Sequence, residues 1–509
     1  MALTLGGYQI AKSAIEHIHH TKGILTVKPH IPSVFVKPQF VKRYPVFKES
    51  EEFLYLPKHY GIETFGPLKS STREVPKTDP KFWEFVGTIR DNQKEVVNSY
   101  LLPEPHDGVI SLQTGGGKTV CALYIASQLK VPTIVLVHNT FLRDQWVERI
   151  KAFLPKARIE MFNEDSSKDT LIQNFIIRVD DGVVKYKNDM TTPNFKLLKN
   201  LKPDEVQKLS TIMGIPQTLD AITKHIVEYT SQSDFTIGML QGITNDKVKS
   251  SNFKPIGLVI VDECHHIATE SFSNAMTKLT SKYVLGLSAT LDRKDGLMHV
   301  IHWFLGPLLY KSNTADKIDE GVKVEVYEFN SGDDEYDAVI LNPAGVMFTS
   351  LMVNKVVEYK PRNEFLVKLI LDVNEEKERQ LLVLTDRVDH AQTLFDMLPT
   401  EVQETACILG RKVKAEQRAE WCATKRILLA TYQMCKEGFD VATLNTLIIA
   451  TSRPDVDQIV GRILRVDKSI RKIDPLIIDI VDPAFRRQFQ QRLDLYKKRN
   501  YIVEKMVFE

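Results

Sequence analysis

Residues 111–121 read SLQTGGGKTVC and follow the apolar lead-in Gly108-Val109-Ile110. The run ends in the Gly-Lys-Thr of a phosphate-binding loop, yet the strict G-x-x-x-x-G-K-[ST] pattern wants glycine at position 112, where this chain has Leu112. The context is the one such a loop needs. Periodicity predicts a strand over 109–112 and a helix over 120–129, with Thr114, Gly115, Gly116, Gly117, Lys118 and Thr119 between them. Glycines let backbone N–H groups converge on phosphate oxygens, and the helix N-terminus adds positive potential. Lys118 is then placed for the terminal phosphates of ATP, and Thr119 for a magnesium ion.

A loop of this kind requires an acid at the end of another strand. The segment IGLVIVDECHH (256–266) supplies Asp262 and Glu263 directly after a clean apolar run. Asp262 is suited to hold Mg2+ through water, and Glu263 to polarise the water that attacks the γ-phosphate. The bland alternative is a strand ending in solvated charges. His265 and His266 could instead be metal ligands, but no third ligand lies close in sequence; the cluster His17, His19 and His20 could be too, but a polar helix face explains it.

Composition is that of an ordinary globular chain. Of 509 residues, 43% are apolar and 26% charged, and no run of 18 or more apolar residues suggests a membrane span. The N-terminal MALTLGGYQIAKSAIEHIHH lacks a basic region followed by an apolar core, so an intracellular location is expected. The five cysteines show neither C-x-x-C spacing nor a paired framework, which suits a reducing compartment. A net charge of +2 does not announce a nucleic-acid binder. Locally, however, KPQFVKRYPVFK (37–48) carries Lys37, Lys42, Arg43 and Lys48 with aromatics between them and no acid. That stretch reads equally as a lysine-protected strand edge or as a nucleic-acid contact.

Buried-type strands recur over 109–112, 133–137, 256–261 and 284–287, then over 381–384, 427–430, 447–450 and 476–480. Two α/β domains with parallel sheets, in tandem, are the economical reading. The polar segment KSNTADKIDEG (311–321) marks the boundary, giving domains at 81–312 and 320–509. Residues 1–80 are expected to form a small α+β appendage that binds nucleic acid or a partner. Residues 160–232 break the alternation with helix-forming, charged segments and look inserted.

Four groups of residues in this order resemble motifs I, II, III and VI of superfamily 2 helicases: Gln113-Thr114 through Thr119, Asp262-Glu263-Cys264-His265, Ser288-Ala289-Thr290, and Gln458 through Arg465. Val135 to Trp146 is similar to motif Ia, Thr236 to Gln241 to the segment before motif II, Leu382 to Thr385 to motif IV, and Ala430-Thr431 through Gly438 and Asp440 to motif V. Arg90-Asp-Asn-Gln93 looks like the R-x-x-Q element of the XPB and UvsW branch of DExH proteins, a group that includes helicases of large DNA viruses. The resemblance spans about residues 85–485 and implies two RecA-like domains. In that family the first position of motif I is commonly small and apolar, so Leu112 is a mild departure at a strand end.

The resemblance also assigns roles. Gln93 would help recognise adenine, and Arg90, Gly438 and Asp440 would join it in the nucleotide site. Gln458, Arg462 and Arg465 would serve catalysis from the second domain, with the two arginines expected one helical turn apart on one face. Thr140, Arg143, Gln241, Thr385 and Thr431 would contact a nucleic-acid strand. The function implied is an ATP-dependent helicase or translocase, with DNA favoured over RNA, in duplex, branched or hybrid form. An ATP-switched nucleic-acid clamp, an RNA helicase without processive unwinding, and the motor of a nuclease complex remain alternatives. Lys202 to Lys208, KPDEVQK, has acids near a lysine but reads better as a helix start than as a nuclease centre.

Overall fold

The computed structural model describes residues 1–30, 40–71, 73, 75, 78–113, 115–162, 176–180, 183–187, 196–197, 201–213, 216–219, 221–222, 233–266, 269–289, 293, 295–312, 321–343, 345–410, 413, 415–436, 441, 443–464 and 471–506. The chain divides into two units, one of Met1–Leu112 with Gly117–Lys311, the other of Gln113–Gly116 with Ser312–Glu509. Thr114, Thr290, Gly438, Asp440 and Arg465 lie outside the described residues, as do Lys37 and the side chains of His266 and Gln458.

In the first unit seven strands form one sheet in the spatial order Ile159–Met161, Phe235–Met239, Thr133–Val137, Leu258–Val261, Tyr283–Ser288, Gly108–Ser111, Leu308–Lys311. Every pairing in it is parallel. Parallel sheets of this kind must be covered on both faces, and the central strands are accordingly buried at nearly every position. Val109, Ile134, Leu136, Val259 and Val261 enter one core, whereas Ile110, Val135, Val137, Leu258 and Ile260 enter the other, as the two-residue period of a strand demands. Helices Asp91–Leu101, Lys118–Leu129 and Thr140–Phe153 cover the second of these cores.

The N-terminal segment is α+β, with a five-stranded sheet of Ala2–Thr4, Gly7–Ala11, Lys48–Glu49, Phe53–Leu56 and Ser70–Ser71. It is less separate than the word appendage suggests. Tyr8, Ile10, Leu54 and Leu56 belong to the same continuous buried cluster as Val109, Ile134 and Val259. Buried Arg73 reinforces the junction, donating to the carbonyls of Lys254 at 3.0 Å and Ile256 at 2.7 Å. Within the expected insertion, Ile176–Asp180, Val183–Lys187 and Lys196–Leu197 form a small antiparallel sheet, followed by the helix Pro203–Met213. The helix begins within the KPDEVQK segment, where Glu205 accepts from the Lys202 N–H at 2.9 Å.

The second unit repeats the plan. Its seven strands run in the order Ala406–Leu409, Ile427–Thr431, Leu381–Thr385, Thr446–Ile449, Leu476–Val481, Lys323–Glu328, Ile502–Met506, again all parallel. The expected helical face carrying Arg462 and Arg465 falls partly outside the described residues, since Arg465 is not among them. The α-helix is Asp457–Val460, and Arg462 and Ile463 follow in tighter turns that bond back to Ile459 and Val460 at 2.9 and 3.1 Å.

Candidate nucleotide and nucleic-acid site

In an open parallel α/β sheet, ligands bind beyond the carboxyl ends of the strands, where the order of connection reverses. Gly108–Ser111 lies between Tyr283–Ser288 and Leu308–Lys311, while its successor Thr133–Val137 lies on the far side of Leu258–Val261. The phosphate loop leaves the sheet at that reversal. Leu112 continues the strand, being 5% exposed with its N–H donating to the Ser288 carbonyl at 3.0 Å. A glycine there would surrender core contacts without adding an anion donor.

Gly115 and Gly117 adopt left-handed backbones with φ of 81° and 85°, a conformation that side chains disfavour. Gly117 caps the helix Lys118–Leu129, whose N-terminus faces the loop. Lys118 Nζ donates to the Leu112 carbonyl at 3.3 Å, so its ammonium lies across the loop, and Thr119 follows in the first helical turn. Gln93 is buried at the third position of the helix Asp91–Leu101, with its Oε1 accepting from the Arg90 N–H at 3.1 Å. That bond turns the amide nitrogen towards Gly117, where an added β-carbon would collide with it. Arg90 is exposed at the helix start.

Asp262 follows Leu258–Val261 and is 7% exposed. Its Oδ2 accepts from Trp146 Nε1 at 2.8 Å and its Oδ1 from the Glu263 N–H at 3.0 Å. Burial, then the neighbouring Glu263 charge, push its carboxyl up to about 6, while Trp146 and Lys118 oppose the shift. A cation near the Asp262 carboxylate would relieve that cost. Glu263 has a left-handed backbone with φ of 47°, a strain on the order of 1 kcal/mol that recurs at functional sites. His265 Nδ1 lies 3.0 Å from Ser288 Oγ and 3.3 Å from Glu263 Oε2, joining the ends of two adjacent strands.

The nominated nucleic-acid residues divide. Thr140 is exposed at the start of the helix Thr140–Phe153, which Asn139 caps by accepting from the Leu142 N–H at 2.8 Å. Arg143, one turn on, pairs with the adjacent Asp144 at 2.7 Å. Gln241 is exposed and donates to the His138 carbonyl at 3.1 Å, which brings two of the nominated segments together.

In the second unit Thr431 is half-buried, and Thr385 is only 1% exposed with its hydroxyl 2.7 Å from His390 Nδ1. The Thr385 side chain therefore faces inward rather than toward a bound strand. Arg462 is 9% exposed and donates to the Cys435 carbonyl at 3.2 Å. The loop after Thr446–Ile449 is fixed by Arg492, which pairs with Asp479 at 2.7 Å and donates to Ser452 Oγ and the Arg453 carbonyl, each at 2.8 Å.

Trp146 closes the segment similar to motif Ia, and its spacing assigns it no role. A buried indole needs a hydrogen-bond acceptor, yet nothing in the spacing says which one.

Residues 87–293 match the family described as "Type III restriction enzyme, res subunit". A protein of Acanthamoeba polyphaga mimivirus named "Putative ATP-dependent RNA helicase" is 28% identical over 99% of this chain and 86% of its own length. One of Invertebrate iridescent virus 6, named "Putative helicase", is 24% identical over 83% of each chain. Among solved structures, S. cerevisiae Dbp5 bound to RNA and ADP BeF3 covers 82% of this chain and 89% of its own, with a TM-score of 0.50 at 12% identity. The fold is thus a tandem of RecA-like domains. The chain carries a helicase domain of superfamily 2 type and is related to helicases of large DNA viruses. Such a domain couples ATP hydrolysis to work on nucleic acid.

Proposed function

We propose that this chain is an ATP-driven helicase or translocase whose track is a nucleic-acid strand, DNA in the first instance. The observation that carries the reading is the convergence of Lys118, Asp262 and Glu263 at strand ends of one sheet, with exposed Thr140 and Gln241 at the ends of the neighbouring strands. Gly115, Gly116, Gly117 and Lys118 bind the phosphates, Gln93 and Arg90 hold the base, and Glu263 orients the attacking water. Thr119 and Asp262 would hold magnesium, which neutralises charge on the phosphate oxygens when bound. On the motifs they match, Arg462 and Arg465 would serve the transferring phosphoryl group, Gln458 the water or a phosphate, and Gly438 and Asp440 the nucleotide. The grip on the strand would alternate with hydrolysis.

Backbone contacts through Thr140, Arg143, Gln241, Thr385 and Thr431 carry little sequence information, so binding is salt-dependent and tolerant of sequence. For Thr385 the contact would be through its backbone, because its hydroxyl is engaged by His390. RNA is the second reading, favoured by the name of the mimivirus relative. Strand displacement on matched DNA duplexes, RNA duplexes and hybrids tests both. Displacement of a DNA strand with ATP supports the first reading; displacement from RNA alone supports the second. ATP turnover with no displacement from any substrate would leave an ATP-switched clamp.

A further inference from the structure

We propose that Trp146 is a positioning residue for the Asp262 carboxylate, and that it ties this acid to the helix nominated for the nucleic-acid strand. The inference rests on the ATPase reading above. An indole N–H can only donate, so its bond to Asp262 takes no part in proton transfer and fixes the orientation of the carboxylate. Trp146 is 1% exposed, and packing alone would be served by a phenylalanine or leucine at this place on the helix. Its Nε1 lies 2.8 Å from Asp262 Oδ2, while Oδ1 accepts the Glu263 N–H at 3.0 Å. Each carboxylate oxygen thus has one fixed donor. Rotating the plane would break a bond, and each oxygen keeps a lone pair for a cation or its water.

The backbone adds a second tie. The Asp262 N–H donates to the Leu136 carbonyl at 3.1 Å. Leu136 lies in the strand Thr133–Val137, which leads directly into the helix Thr140–Phe153. One continuous stretch of chain therefore holds Asp262 at its backbone through Leu136 and at its side chain through Trp146. The same stretch exposes Thr140 at the first turn and carries Arg143 at the second. A strand that pulls on this helix pulls on the orientation of the magnesium-holding acid.

The test is a magnesium titration of the full chain with a fluorescent, non-hydrolysable ATP analogue. Groups that orient a metal-holding residue typically change metal affinity by 10-fold or more. In Trp146→Phe the magnesium concentration for half-maximal analogue binding should rise on the order of tenfold, with binding in EDTA unchanged. Placed on an Asp262→Ala background, the same substitution should add nothing. If the phenylalanine variant fails to fold in a thermal melt, Trp146→Met fills the space without an N–H and carries the comparison. A wild-type magnesium titration in the variant, or an equal further loss on the Asp262→Ala background, overturns the proposal. Wild-type protein that binds the analogue without any magnesium dependence would overturn the nucleotide reading, and the proposal with it.

Discussion

The side-chain nitrogen of Gln93 occupies the space that a β-carbon on Gly117 would need. The amide is held there because Gln93 Oε1 accepts from the Arg90 N–H, and Gly117 is left-handed at φ 85°. Two elements far apart in sequence, 90–93 and 113–119, are thereby keyed to each other. Gln93→Ala should lower ATP affinity about tenfold, the worth of one good hydrogen bond, and leave GTP affinity unchanged. Competition binding of the two nucleotides checks this; equal losses for both would mean that Gln93 supports the loop rather than reading the base.

Lys118→Ala should abolish ATP turnover with the fold intact by circular dichroism. Glu263→Gln should instead bind ATP at near wild-type affinity and lose hydrolysis by about a hundredfold or more, since it removes the group that orients water and not one that binds phosphate. Single-turnover hydrolysis and equilibrium binding, measured side by side, separate the two effects. Undiminished hydrolysis in Glu263→Gln would contradict its role.

The second unit carries a built-in sensitivity to acid. Burial, and then the nearby Arg362, depress the His390 imidazole to about 3, against an ordinary 6.5. The neutral ring is 2.7 Å from Thr385 Oγ1 and 2.9 Å from Asn363 Oδ1. With the folded value below the unfolded one, the stabilising contribution is complete above about pH 6.5 and is lost as pH falls towards about 3. Chemical denaturation at pH 7.5 and at pH 5 should show a larger drop in stability for the wild type than for His390→Gln. An equal drop would assign the acid sensitivity elsewhere.

The N-terminal sheet shares its core with the first RecA-like domain, so deleting it would expose buried Tyr8, Ile10 and Leu54 and test folding more than binding. Charge substitutions are the cleaner probe. Lys42 already pairs with Glu270 at 2.8 Å, and Lys48 is lowered by partial burial and by Lys278. If this surface meets phosphates, Lys42→Ala, Arg43→Ala and Lys48→Ala together should weaken nucleic-acid binding and flatten its salt dependence. An unchanged slope of affinity against salt would make the basic run a packing and solubility feature.

The central strands were legible because they are short apolar runs ending in turn or charged residues; 133–137 was read with the bounds that the structure gives. Edge strands were missed for a physical reason. Leu308–Lys311 and Ile502–Met506 each expose part of their length, so their apolar signal is diluted. The antiparallel pair Ile176–Asp180 and Val183–Lys187 has a local cue in the sequence, since IIRVDDGVVKYK carries the Asp-Gly signature of a hairpin between β-branched runs. Lys118, Asp262 and Glu263 could be named from spacing because each follows a strand. The Trp146 bond to Asp262 could not, because it joins residues from separate elements through a side-chain orientation that no local pattern encodes.

Hydrolysis of ATP in response to a nucleic-acid strand is what would join these parts into one machine. The most direct test is ATP turnover by the purified chain without nucleic acid and with a panel of single-stranded, duplex, forked and hybrid substrates. Turnover that rises with at least one of them, and vanishes in Lys118→Ala, is the expected result. Substantial turnover that no DNA or RNA changes would contradict the account.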